Sequence, residues 1–413
     1  MNRPFRSAAV AALALGMIAT LARTARPPNP FARAHWLLDY RFGFMKRALQ
    51  GQVLVILSRL GVLHLRRDTI FAVTYLMFTL LCIAMLGIMV RTLARDGWSR
   101  ATFAVFAGFV TSAYVVTAAH LMGYLDHVIA LLAMAAVWLA MRGRYWPAGI
   151  VIGAAMLVHE TVLLTGIPVL LMAIALRPGA PRGRALAAAL APMILPVTAG
   201  VAIFSSEQNA VHRMVLRDHL RQRLSAFRWV SDDMNIHVPE WLTTSFIQHI
   251  REQAHAFPSR ITSPGFMFYI VPSMILLWLL SSALSGWRRS WMVVAAPVIA
   301  LPLLLHLTAF DTAREWTLPL IVGLMCVWVA SETGSGRAAW GPVLRVFAGL
   351  LGTVIVLFNV FWMRYPLLDY LIDRYENWER ALLYGPFFVM AALFVWRGSR
   401  WAPDPGGSRA RAG

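Results

Sequence analysis

The stretch GAAMLVHETVLLTGIP, residues 153–168, sets His159 and Glu160 side by side with apolar residues on both flanks. Its reading decides the fold. As part of one helix from 146 to 176, it would place Arg177, Arg182 and Arg184 across the membrane from Arg142 and Arg144. Every later loop would then be inverted. As two short crossings that meet at His159–Glu160, it keeps all these arginines on one side, where cytoplasmic loops carry them. The cost is length: residues 146–158 make a helix of about 20 Å, against a hydrocarbon core of ~30 Å. The arginines favour the split. A polar break at that depth is tolerated only where it is buried in protein or lines a wet cavity.

Outward from this stretch the chain is apolar throughout. Of its 413 residues 59% are hydrophobic and 14% charged, too few charges for a soluble surface of this size. The runs do not alternate as barrel strands would, so the expected class is all-α, a polytopic transmembrane bundle. Beyond a first run at 7–22, apolar runs fall near 69–92, 101–119, 124–141, 146–158, 160–176, 184–204, 265–284, 291–309, 316–331, 341–361 and 382–396. Arg91, Arg95 and Arg100, then Arg142 and Arg144, then Arg177, Arg182 and Arg184, then Arg288 and Arg289, then Arg337 mark alternate loops. The expectation is about twelve crossings, N-in and C-in, in one domain over 1–396. A disordered cytoplasmic tail is expected over 397–413.

The net charge of +19 is mostly arginine in short loops, and no soluble segment looks like a nucleic-acid module, so nucleic acid is not an expected partner. Cys82 and Cys326 lie within apolar runs and offer neither a disulfide nor a thiolate metal site. On the outer side fall 23–68, the turn at 121–126, the His159–Glu160 break, 205–263, 310–315 and 362–381. Residues 44–65 are amphipathic and suit interfacial helix. The segment 205–263 suits two or three short helices. The segment 23–68 carries nine Lys and Arg residues, against the positive-inside rule. Binding a phosphate at the membrane surface would give those charges a task.

The polar interruptions gather on that side. Asp39 stands beside Arg41, Lys46 and Arg47; an acid among cations can act as a general base while the cations hold an anionic leaving group. The plainer reading is an interfacial pair with Arg41 or Lys46. Asp126 opens a helix, where a carboxylate can simply satisfy free amides. His159 and Glu160 need a partner at their depth; they are either a buried structural pair or a substrate contact. Asp311 and Arg314 sit at i, i+3 and can pair with each other, or Arg314 can grip a phosphate bidentately. Five histidines in 205–263 match no metal spacing, so no metal ligands are named, and a divalent metal is left open.

This arrangement resembles the GT-C superfamily of membrane glycosyltransferases. The likeness rests on an inside N-terminus, a first outer loop with an acid at Asp39 and interfacial helix, a second acid at Asp126, and a long mid-chain outer loop. Adjacent acids are common in that first loop among members; here Tyr40 follows Asp39, which bears on metal-assisted chemistry. The resemblance implies transfer of a sugar from a polyprenyl-phosphate carrier to a glycan, lipid or protein acceptor, on the outer face of a bacterial cytoplasmic membrane. Asp39 would be the catalytic base and Asp126 the second acidic site. The other assignments come from the residues themselves and not from the resemblance: Glu160 as a further catalytic acid, and Arg41, Lys46, Arg47, His159, Asp311 and Arg314 as contacts to substrate or phosphate. The alternatives are a polysaccharide polymerase or ligase using lipid-linked glycans, and a twelve-helix transporter or flippase.

Overall fold

A computed structural model describes residues 3–42, 47–177, 179, 182–206, 209–230, 232–244, 246–307, 312–334, 336–363 and 375–399. Among these residues all regular structure is helical. Among the described residues nine helices are long and apolar enough to cross a membrane, and three shorter apolar helices accompany them. The protein is a membrane-embedded helical bundle.

The first half runs α1 (Arg3–Thr24), α2 (Pro30–His35), α3 (Leu49–Arg59), α4 (Arg67–Arg95), α5 (Arg100–Val110), α6 (Ala113–His120), α7 (Asp126–Met141), α8 (Tyr145–Val158), α9 (Val162–Thr165) and α10 (Ile167–Leu176). After these come α11 (Arg182–Leu190), α12 (Ile194–Ser206) and four short helices, α13 (Ala210–Ser225), α14 (Asp232–Thr243), α15 (Phe246–Gln253) and α16 (Phe257–Ile261). The chain ends with α17 (Val271–Leu284), α18 (Arg289–Ala300), α19 (Thr312–Thr333), α20 (Pro342–Leu357) and α21 (Asn377–Ser399).

The helices overrun the apolar runs that announce them. Helix α4 takes in Arg67, Arg91 and Arg95 because arginine is a good helix former. Its long stem can also lie along apolar surface while the charge reaches water. Residues 205–263 hold four short helices rather than two or three. The amphipathic stretch expected at 44–65 is the shorter α3, and 43–46 lie outside the described residues. Helix α21 continues to Ser399, so 397–399 are helical rather than tail; 400–413 lie outside the described residues.

The split at His159–Glu160 is a real reversal. Arg177, just past α10, donates through Nη1 to the Ala140 carbonyl at 3.0 Å and to the Tyr145 hydroxyl at 3.2 Å. Residue 177 therefore lies beside the start of α8, so α8 and α9–α10 are two arms with His159 at the far end. A single helix could not bring 145 and 177 together, since 32 residues of helix extend about 48 Å.

Close packing holds the arms. A Cβ on Gly149 of α8 would sit 2.2 Å from the Ala189 carbonyl oxygen of α11, so only glycine lets these helices approach. The main core fills the bundle. A second core lies at one end, where Leu37, Leu38, Val158, Leu220 and Leu242 close over one another. There α13 and α14 form a hairpin seated on α2. We expect Gly149→Val to lower the thermal midpoint of the detergent-solubilised protein, with a cost of about 1–3 kcal/mol or more. An unchanged melting curve would contradict this packing.

Candidate functional site

One end of the bundle gathers four carboxylates and four guanidiniums. The first group forms where α2 gives way to the loop before α3. Asn29 caps α2 by accepting from the Ala32 amide at 2.8 Å, and Trp36 donates to the Gly123 carbonyl at 2.7 Å, tying this loop to the α6–α7 turn. Gly123 has φ +96°, and a Cβ there would meet Pro28 at 2.9 Å. The Leu38 carbonyl lies where a Cβ of Gly51 would fall, 1.8 Å away. This backbone contact sets the position of Asp39.

Asp39 is buried and doubly clamped. Its Oδ1 accepts from the Arg41 amide at 3.1 Å, and its Oδ2 accepts from Arg41 Nη2 at 3.0 Å. From α13, Arg223 Nη2 stands 3.1 Å from the same Oδ2. Arg223 also donates through Nε to the Leu37 carbonyl at 3.2 Å and stacks over Phe227 at 4.7 Å. Burial pushes the Arg223 guanidinium below its ordinary pKa, and Asp39 opposes that shift. The local pair with Arg41 is thus present, but the long mid-chain segment 205–263 supplies a second cation, Arg223, that sequence reasoning did not single out.

The second group centres on the helix break. Arg47, held at φ 59°, a left-handed conformation rare for a side-chain-bearing residue, donates through Nε to both oxygens of Glu160 at 3.1 Å. Its Nη2 makes a further short contact with the same carboxylate. Gln50 Nε2 fixes the neighbourhood by donating to the His35 and Arg47 carbonyls. His159 is buried, and its Nδ1 accepts from the Thr161 amide at 3.2 Å. The proton of the neutral ring therefore resides on Nε2. The Glu160 carboxylate is 3.5 Å from His159 Nδ1 and keeps 44% of its side chain exposed, against 1% for Asp39 and 10% for Asp126. Glu160 is the carboxylate a ligand can reach.

The third group joins α19 to α7. Arg314 Nη2 donates to Glu315 at 2.8 Å, its Nε lies 3.5 Å from Asp126 Oδ2, and its guanidinium covers the Tyr124 ring at 5.5 Å. The N-cap position falls to Leu125, which makes no side-chain cap bond, and the buried Asp126 Oδ1 has no hydrogen-bond partner among the described residues. The simple capping alternative is thus replaced by a long-range ion pair. Glu315 is fully buried and was not among the expected residues. Its signal was an acid in the first turn of an otherwise apolar helix, where the dipole favours it. Lys46 and Asp311 lie outside the described residues.

His35 ties the second and third groups together. Its Nδ1–H donates to the Phe31 carbonyl at 2.9 Å. Burial, and after it the charge of Arg47, push its pKa down to about 3, with His159 and Arg314 acting in the same sense. The neutral ring leaves Nε2 as a buried lone pair with no hydrogen-bond partner among the described residues. Arg47, His159 and Arg314 also lie close enough to act on the Asp126 carboxylate. These residues from four segments share one neighbourhood, with Asp39 in the adjoining clamp.

Chemically, the end offers exchangeable cations. Arg41, with 45% of its side chain exposed, and the Arg47–Glu160 pair can swap a carboxylate for an incoming phosphate; the buried pairs cannot without loss. Among the described residues no group of three or more His, Cys, Asp or Glu is placed to hold a metal. Comparison with known protein families, with characterised proteins and with solved structures finds nothing that matches the chain.

Protonation of His35 opposes folding. The unfolded ring takes its proton near 6.5 and the folded ring only near 3, so stability is full above 6.5. It is lost as pH falls between those values, by about 1.4 kcal/mol per unit. His35→Asn, which keeps a donor toward Phe31, should show a smaller drop in melting temperature from pH 7 to pH 4 than the parent. An equal drop would remove His35 as the acid-sensitive group.

Proposed function

We propose that the chain is a membrane glycosyltransferase that moves a sugar from a polyprenyl-phosphate carrier to an acceptor at the membrane face where Asp39, Glu160 and Arg314 lie. The observation that carries this reading is the concentration of carboxylate–arginine pairs at one end of the bundle. Ionised groups at membrane depth are costly and are usually retained for function. Two of the cations, Arg41 and Arg47, remain partly exposed and able to change partner.

In this reading an acceptor hydroxyl attacks the anomeric carbon and its proton passes to Asp39. The bond from that carbon to the phosphate oxygen breaks, and the electron pair leaves with the polyprenyl phosphate. Arg41 moves from Asp39 onto the departing phosphate, so one motion uncovers the base and recruits a cation, while Arg223 stays on Asp39. Arg47 and Arg314 add positive charge, and Glu160 orients the acceptor. The carrier's hydrocarbon lies between helices, which accounts for sugar chemistry built into a bundle rather than a soluble domain.

The topology belongs to the same proposal. Among the described residues there are nine long and three shorter apolar helices; in this reading each crosses once, giving twelve passes with both termini in the cytoplasm of a bacterium and the site outside. Arg91, Arg95, Arg142 and Arg177 sit at the end opposite the site, as cytoplasmic arginines should. A reporter fused within 205–263 should be active outside the cell; activity in the cytoplasm would reverse the orientation.

One observation favours a runner-up. Arg223 reaches Asp39 from the long outer loop, as would suit a polymerase or ligase that joins whole lipid-linked glycans. A transporter or flippase fits less well, because the charges gather at one end instead of mid-bundle. The test is transfer from a labelled polyprenyl-phosphate sugar in membrane vesicles, run beside a lipid-linked oligosaccharide donor. Asp39→Asn should cut transfer by about 10²–10⁴-fold in protein that still inserts. Wild-type transfer by this variant would overturn the mechanism.

A further inference from the structure

At the end of the bundle away from the candidate site, α4, α7 and α19 enclose a groove of about 710 Å³, a size that holds small organic ligands. Its apolar wall includes Gly87, Leu131, Ala135 and Trp138, and its rim carries Arg91, Arg142 and Arg177 against a single acid, Glu332. We propose that this groove binds one anionic phospholipid, with the phosphate on Arg142 and Arg177 and an acyl chain along Gly87 and Ala135.

The charge is in surplus and unevenly committed. Glu332 is taken by Arg91 and by Arg95, the latter at 2.8 Å. Arg142 has no carboxylate partner among the described residues and stacks on Trp138 at 5.4 Å. Arg177 directs its Nη1 to Ala140 and Tyr145, which fixes the guanidinium at the rim. Arginine binds phosphate bidentately, and basic pockets between membrane helices on the cytoplasmic side recognise anionic headgroups.

The wall says where the ligand comes from. Gly87 and Ala135 are exposed on the flanks of apolar helices, and a Cβ on Gly87 would meet nothing within 4 Å. These small residues leave a slot that opens sideways toward lipid tails. Trp138 is 45% exposed beside it, at the level where aromatic rings favour the headgroup boundary. A soluble anion would need only the rim; a phospholipid uses both rim and slot. The inference is independent of the proposed sugar transfer.

Native mass spectrometry of the full chain in detergent tests it, by titration with phosphatidylglycerol, phosphatidylcholine of the same tails, and inorganic phosphate. Phosphatidylglycerol should be retained at least tenfold better than phosphatidylcholine. Arg142→Gln should weaken it roughly fivefold, as expected for one arginine near an anionic headgroup. Gly87→Leu, whose side chain enters open space, should reduce retention at an unchanged melting temperature. Equal retention of the two lipids, parent-like binding by both variants, or equal occupancy by inorganic phosphate would each overturn the proposal.

Discussion

A carboxylate withdrawn from water must have a cation beside it, and the architecture of one bundle end follows from that requirement. Asp39, Asp126, Glu160 and Glu315 are each met by an arginine. Removing one member of a buried pair strands the other and costs about 3–5 kcal/mol. The pairs are therefore also fasteners. Arg223 latches the α13–α14 hairpin to the loop after α2, Arg47 latches that loop to the α8–α9 reversal, and Arg314 latches α19 to α7. The same groups that make this end chemically interesting decide how the segments between the long helices sit on the bundle.

Backbone groups impose a parallel demand, and it accounts for part of the basic surplus in the segment 23–68. The end of α20 continues as a π-helix over Phe358–Trp362, leaving carbonyls that need donors. Buried Arg23 donates to the carbonyls of Asn359 at 2.9 Å and Met363 at 2.6 Å, and buried Arg380 to Phe361 at 3.0 Å. Arg33 and Arg67 both lie over the Phe71 ring. Of the nine basic residues there, several thus hold structure. Among those described, Arg41 and Arg47 are the two that pair with carboxylates of the candidate site.

Hydropathy made the helices legible, because lipid leaves so few alternatives for a polar backbone. The reversal at His159–Glu160 was legible from arginine placement alone, since a straight reading would have scattered the charges. The partners of the acids were not. Arg314 reaches Asp126 on another helix, a partner that its i, i+3 spacing from Asp311 does not announce. Arg223 was hidden among the other arginines of α13, where spacing does not reveal which one faces inward. His35 gave no signal, because its role depends on neighbours from distant segments. Helix identity is written locally; ion-pair identity depends on tertiary packing.

The shortness of α8 has a consequence for the membrane itself. Its 14 residues span about 21 Å, roughly 9 Å less than an ordinary hydrocarbon core. A bilayer answers such a mismatch by thinning around the short element. A leaflet thinned beside α8 would bring the headgroup layer and its water toward His159 and Glu160. An amphiphile moving along that surface would then meet Glu160, the exposed carboxylate of the site, without being lifted out of the lipid.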